Sequence, residues 1–170
     1  GSASGLTDAS FTNGALPAGV SAYLTNNTAN SSIDLVVTVV PNLIWRGQVD
    51  SIWDTAMPNW IDAVSSNDAF FFNGAIALFD DGAVRTDVSV TSAVSPAVTI
   101  FNNAASNFAF TGAGSLAGGG GLVLAGGGSV TQGLAGNSYA GGTAVSNGTL
   151  VLAASNALPS GAGKGNTLVN

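Results

Sequence analysis

Residues 97–124 read AVTIFNNAASNFAFTGAGSLAGGGGLVL. Apolar stretches at Ala97–Phe101, Phe108–Phe110 and Leu122–Leu124 alternate with runs of Asn, Ser, Ala and Gly, and nothing between them carries a charge. A strand of this length buries one or two side chains and is not stable alone. Such strands persist when they are stacked, each coil covering the next, as in a β-solenoid. The spacing from Ile100 to Val123 to Val145 is 23 and then 22 residues, near one coil of a parallel β-helix.

The same grammar runs outward from this stretch. From Val88 to Gly163, 76 residues pass without a charged side chain, and 17 of the 24 glycines fall between 112 and 165. Val88–Val90, Thr143–Val145, Thr149–Leu152 and Thr167–Val169 are further expected strands. Charged residues make up 7% of the 170-residue chain, against roughly 25% in ordinary globular proteins. Solubility then rests on hydroxyls, amides and backbone facing water, with Val and Leu turned inward. Glu, which favours long helices, is absent, while Gly, Thr, Val, Asn and Ser suit strands and turns. The fold class read here is all-β.

Three segments differ in composition. Residues 1–42 are turn-rich and end in one strong strand, Ile33–Val40, stopped by Pro41. Residues 43–87 hold all three tryptophans, four of the eight phenylalanines and seven of the nine aspartates, and read as an irregular aromatic β block. Residues 88–170 are the Gly-rich solenoid repeat. Sequons at Asn26, Asn30 and Asn147 read as Asn-based turns.

Inventory excludes much chemistry. With no His and no Cys there is no Ser-His or Cys-His pair and no zinc or haem ligand set of the usual kind. Three basic residues against nine acidic ones cannot track phosphates, so nucleic acid is not an expected partner. The longest apolar stretch, Ile33–Val40, is too short for a membrane-spanning helix, which needs about 20 residues. Gly161-Ala162-Gly163-Lys164-Gly165 and the glycines 118–121 read as turns, not phosphate loops. Carboxylates are the remaining candidates. Adjacent Asp80 and Asp81 are the candidate calcium ligands, against a solvated turn through Gly82. No catalytic residue and no cofactor are expected.

Asn137-Ser138-Tyr139-Ala140-Gly141-Gly142-Thr143-Ala144-Val145-Ser146-Asn147-Gly148-Thr149-Leu150 resembles the N-x-Y-x-G-G-T-x-V-x-x-G-T-L signature of the autotransporter-associated β-strand repeats of large bacterial surface proteins. Trp45-x-Gly47, Trp53-Asp54, Asn59-Trp60 and Phe79-Asp80-Asp81 are similar to the extended form of those repeats, so the resemblance covers roughly residues 43–163. It implies a right-handed parallel β-helix serving as stalk or passenger at the cell surface. The turn Ala125-Gly126-Gly127-Gly128 departs from the family pattern and predicts an irregular coil. In the motif, Val145 and Leu150 are expected to point inward and Thr143 and Thr149 outward, with the Tyr139 hydroxyl at the rim.

Two functions follow. The first is a structural repeat of an extracellular fibre, stalk or adhesin, associating head-to-tail with neighbouring copies. Its association residues are Ile33, Leu35, Val37 and Val39 on the early strand and Leu168 on the last, since no segment reads as a charged cap. The second is a carbohydrate-binding adhesin module in which Trp45, Trp53 and Trp60 form a platform for surface glycans.

Overall fold

The computed structural model describes residues 20–170. The chain divides into two compact units, Gly1–Pro41 and Asn42–Asn170.

In the first unit, β1 (Ser21–Asn27) and β2 (Ser32–Val39) form an antiparallel hairpin with Leu24 opposite Leu35 and Asn27 opposite Ser32. The Asn27 side chain donates to Asp34 at 2.6 Å, and Ser32 Oγ donates to the same carboxylate at 2.8 Å. The strand expected at 33–40 is present as β2. Its partner β1 lies in a segment read only as turns, because Tyr23, Leu24 and Thr25 are strand formers whose neighbours are polar.

The second unit contains β3 (Asn42–Trp45), β4 (Ile52–Trp53), β5 (Trp60–Asp62), β6 (Asp68–Ala69) and β7 (Ile76–Asp80). These are followed by β8 (Asp87–Val90), β9 (Val98–Asn102), β10 (Phe108–Thr111) and β11 (Leu122–Leu124). The last are β12 (Ser129–Gln132), β13 (Thr143–Val145), β14 (Thr149–Leu152) and β15 (Thr167–Val169). They build a β-solenoid of about four turns, with no helix among the described residues.

From β7 onward every second strand joins the same sheet. The long sheet stacks β3, β7, β9, β11, β13 and β15 in parallel, and the short sheet stacks β4, β8, β10, β12 and β14. A third corner is marked by the parallel bridge between Val94 and Leu116. Partners in the long sheet lie 22 residues apart at Ile76 and Val98, 23 at Thr99 and Leu122, 21 at Leu122 and Thr143, and 24 at Thr143 and Thr167. Ile100 pairs with Val123 as the spacing predicts, but Val123 pairs with Ala144, not Val145. Val145 stacks on Leu124 instead, so it still faces inward.

Alternation along each strand sends one set of side chains into the core. Trp45, Phe79, Phe101, Leu124 and Val145 are all buried, and Phe79, Phe101, Leu124 and Val145 form one continuous inward column. Leu43, Ala77, Thr99, Leu122 and Thr143 form a second. The aromatic block and the Gly-rich repeat therefore share one core.

Two local expectations are corrected. The 125–128 turn is regular: Gly126 and Gly128 donate backbone hydrogen bonds to Phe101 and Asn103 of the preceding coil at 3.1 and 2.8 Å. A Cβ at Gly126 would lie 2.2 Å from the Asn103 carbonyl oxygen, so glycine there permits a close stack where it was read as slack. The N-terminal side of the long sheet also has a cap. The antiparallel hairpin β5–β6 closes it against β3 and carries Asp62 and Asp68. That cap is built by a reversal of strand direction, which composition does not reveal.

Candidate functional site

The tryptophans come together, but inside. Trp45, Trp53 and Trp60 are each 0% exposed and sit with Phe71, Phe79, Phe101, Phe108 and Phe110 in one aromatic core. Trp45 and Trp53 meet Trp60 edge-on at 5.2 and 5.3 Å between ring centroids, and Phe79 stacks on Phe101 at 5.0 Å. The Trp45 indole donates to the Arg85 carbonyl at 2.8 Å. No ring face of the three is free to stack on a sugar. The glycan platform at Trp45, Trp53 and Trp60 is thus corrected to a hydrophobic core. Eight large rings fill the interior here, where Leu and Val fill it further along.

The aspartates act as turn locks. Asp80 pairs with Arg46 at 2.6 Å and accepts the Gly82 backbone N–H at 2.9 Å. Asp81 points to the next coil, where it accepts the backbone N–H groups of Ala104, Ala105 and Ser106 at 2.9, 3.0 and 2.8 Å. Those three donors, Ser106 first, lower its pKa to about 2. Asp54 accepts from Ala56 and Met57, and Asp62 from Val64 and Ser65, in the manner of Asx turns. Among the described residues no three potential ligands cluster to hold a metal. The calcium candidate Asp80 and Asp81 is corrected accordingly: the two neighbours diverge, one to a guanidinium and one to backbone donors.

The quoted motif has an internal purpose. Asn137 is buried and bridges three coils: its Oδ1 accepts from Leu116 N–H at 2.7 Å, and its Nδ2 donates to Leu134 and Ala157 carbonyls at 3.2 and 2.7 Å. Tyr139 is buried too, its hydroxyl 2.7 Å from Thr143 Oγ1. Burial raises its pKa. Thr143 thus faces inward, not outward, because its register with Leu122 puts it on the core side and Tyr139 satisfies its hydroxyl.

Several apolar side chains remain accessible. The final coil leaves one edge of β14 and one of β15 without a strand among the described residues. Leu152 stacks on Gln132 and Val169 on Val145, both core positions, and they are 52% and 70% exposed, with no further coil over them among the described residues. Leu168 beside them lies in an outward column of the long sheet: Ile44, Leu78, Ile100, Val123, Ala144, Leu168. On the hairpin, Ile33, Leu35, Val37 and Val39 share one face by alternation, and the last three are about half exposed. Sequence reading named these hairpin residues and Leu168 but missed the column behind Leu168. Its signal was present, since β7 and β9 are apolar at both odd and even positions.

No family model, curated protein or solved structure matches this chain.

Proposed function

We propose that this chain is a structural module of an extracellular bacterial fibre, stalk or adhesin, and that it associates head-to-tail with neighbouring copies. The observation that supports the reading is the coil-on-coil stack, in which inward columns such as Phe79, Phe101, Leu124 and Val145 run from coil to coil through one shared core. A stack of that kind grows coil by coil, each offering strand edges and apolar columns to the next, within one chain or between copies. A heterologous contact of this sort repeats without closing unless its rotation brings it round.

Three further features support it. The buried groups with strong hydrogen-bonding capacity, Asn137 and Tyr139, are spent on holding coils together. Asp54, Asp62, Asp80 and Asp81 likewise hold turns. The resemblance of residues 137–150 to autotransporter-associated repeats favours a bacterial surface setting.

Sedimentation velocity across a concentration series tests the proposal. The expected result is a weight-average mass that climbs with concentration, and its loss in Val169→Asp, which places a charge in an exposed core column. A single monomeric species up to millimolar protein would overturn it.

A further inference from the structure

The chain contains three Asn-Gly pairs: Asn13-Gly14, which lies outside the described residues, Asn73-Gly74 and Asn147-Gly148. Asparagine is a thermolabile side chain. It is most so before glycine, which has no Cβ to shield its backbone nitrogen from the neighbouring side-chain amide. Both described asparagines are exposed, and both of their glycines have a φ of +93°. Exposure and backbone conformation therefore do not separate the two pairs. Hydrogen bonding does.

At Asn73 the reacting groups are held apart. Its Oδ1 accepts the Ser95 backbone N–H at 2.8 Å, and the Gly74 N–H donates to the Ser95 carbonyl at 2.7 Å. Both bonds reach the next coil, and both must break before the Gly74 nitrogen can turn onto the Asn73 side chain. At Asn147 the contact joins the reacting groups to each other, since the Gly148 N–H donates to Asn147 Oδ1 at 3.0 Å. The Asn147 side chain makes no other hydrogen bond among the described residues. Holding nucleophile and electrophile in contact is how proximity lowers a barrier. The stack also demands glycine at 148. A Cβ there would lie 2.4 Å from the Gly128 carbonyl oxygen and 2.8 Å from that of Gly126.

We infer that Asn147 is a site of spontaneous covalent modification, converting through a cyclic imide to aspartate and isoaspartate, while the fold protects Asn73. A solvent base removes the Gly148 N–H proton. The nitrogen attacks Asn147 Cγ, a C–N bond forms, and Nδ2 takes up a proton and leaves as ammonia. Water then opens the imide. Attack at Cγ gives aspartate; attack at the backbone carbonyl gives isoaspartate, whose main chain runs through the former side chain and is one atom longer.

The two products act differently on the coils. Either one adds a carboxylate to the uncharged stretch Val88–Gly163. Only isoaspartate lengthens the main chain between two anchors on the preceding coil. These are the Asn147 N–H, which donates to the Leu124 carbonyl at 3.3 Å, and the Thr149 N–H, which donates to the Gly128 carbonyl at 3.0 Å. Both cannot then be kept, and the start of β14 slips from its register on β12.

The parent chain, folded and in concentrated urea, is held in mildly alkaline buffer and sampled over weeks by peptide mapping with mass spectrometry. In the folded chain Asn147 is expected to convert roughly tenfold faster than Asn73, the scale of one or two net hydrogen bonds. In urea the two rates are expected to converge. Equal rates in the folded chain, faster conversion at Asn73, or a ratio that persists in urea would overturn the inference. Anion exchange then isolates the isoaspartyl chain. Its Thr149 amide is expected to exchange faster than in the parent and in Asn147→Asp, and an unchanged Thr149 amide would remove the slip of β14.

Discussion

The Asp81 carboxylate, on the turn after β7, accepts the backbone N–H of Ser106 on the turn after β9 at 2.8 Å. With Ala104 and Ala105 it thereby terminates three donors that the next coil would otherwise leave to water. One side chain staples two coils at a corner where the sheets give no hydrogen bonds.

The pH dependence follows from that contact. The folded pKa of about 2 lies below the ordinary 3.8, so the ionised group favours the folded state. Its contribution is complete above the unfolded value and disappears as pH falls through about 2. Asp34 and Asp62, also lowered by local donors, act in the same direction. Thermal midpoints are expected to hold from neutral pH down to about 5 and to fall between about 4 and 2. Asp81→Asn should lower the midpoint at pH 7 by a few degrees and flatten the acid slope. An unchanged slope in that variant would remove the staple.

Glycines divide into two kinds with opposite expectations. Gly126→Ala drives a Cβ to 2.2 Å from a backbone oxygen of the neighbouring coil, so the stack must open. Overpacking against backbone costs about 1–3 kcal/mol or more. At Gly119 an added Cβ meets nothing within 4 Å. There Ala removes unfolded-state freedom and is expected to be neutral or to stabilise by up to about 1 kcal/mol. Urea denaturation of the two variants reads the difference directly.

Those glycines also mark how far sequence carries. Strand positions were legible: those expected at 97–101, 108–110, 122–124, 143–145 and 149–152 lie within a residue of where the pattern puts them. The all-β solenoid followed from them. Facing was less legible, since Thr143 turns inward and Val145 pairs with Leu124, not Val123. β12 was not legible, because Ser129-Val130-Thr131-Gln132 offers one apolar residue and becomes a strand only by pairing with β10 and β14. The cap β5–β6 escaped for a related reason, since an antiparallel reversal leaves no composition mark. At the candidate site, residue types sorted correctly but depth did not. A tryptophan reads the same whether its ring faces sugar or Phe71, and only the packing of the folded coils decides.

Asn137 tests the bridge across coils. Asn137→Ala orphans the Leu116 N–H and the Leu134 and Ala157 carbonyls together. An unsatisfied buried backbone group costs about 1–3 kcal/mol, so a total loss of about 2–4 kcal/mol is expected in chemical denaturation. Amide exchange at Leu116 should quicken by a larger factor than at residues of β7. A loss below about 0.5 kcal/mol, the scale of an ordinary surface change, would reduce the bridge to a spectator.

Phe79 is the hub of the aromatic core, touching the rings of Trp45, Trp53, Trp60, Phe101, Phe108 and Phe110. Its removal in Phe79→Ala leaves a void that those rings cannot collapse into together, because they are fixed on strands of the coils on either side, β3 to β5 before it and β9 and β10 after it. A loss of about 3–5 kcal/mol is expected. The tryptophans supply the readout. With all three buried, the native emission is expected to be blue-shifted, resistant to acrylamide, and unmoved by any glycan. In Phe79→Ala it should shift to the red and become quenchable before the far-ultraviolet β signal is lost, since the core loosens while the outer hydrogen bonds persist. Emission that is red-shifted and quenchable in the parent chain would put the rings at the surface and return them to the role of a binding platform.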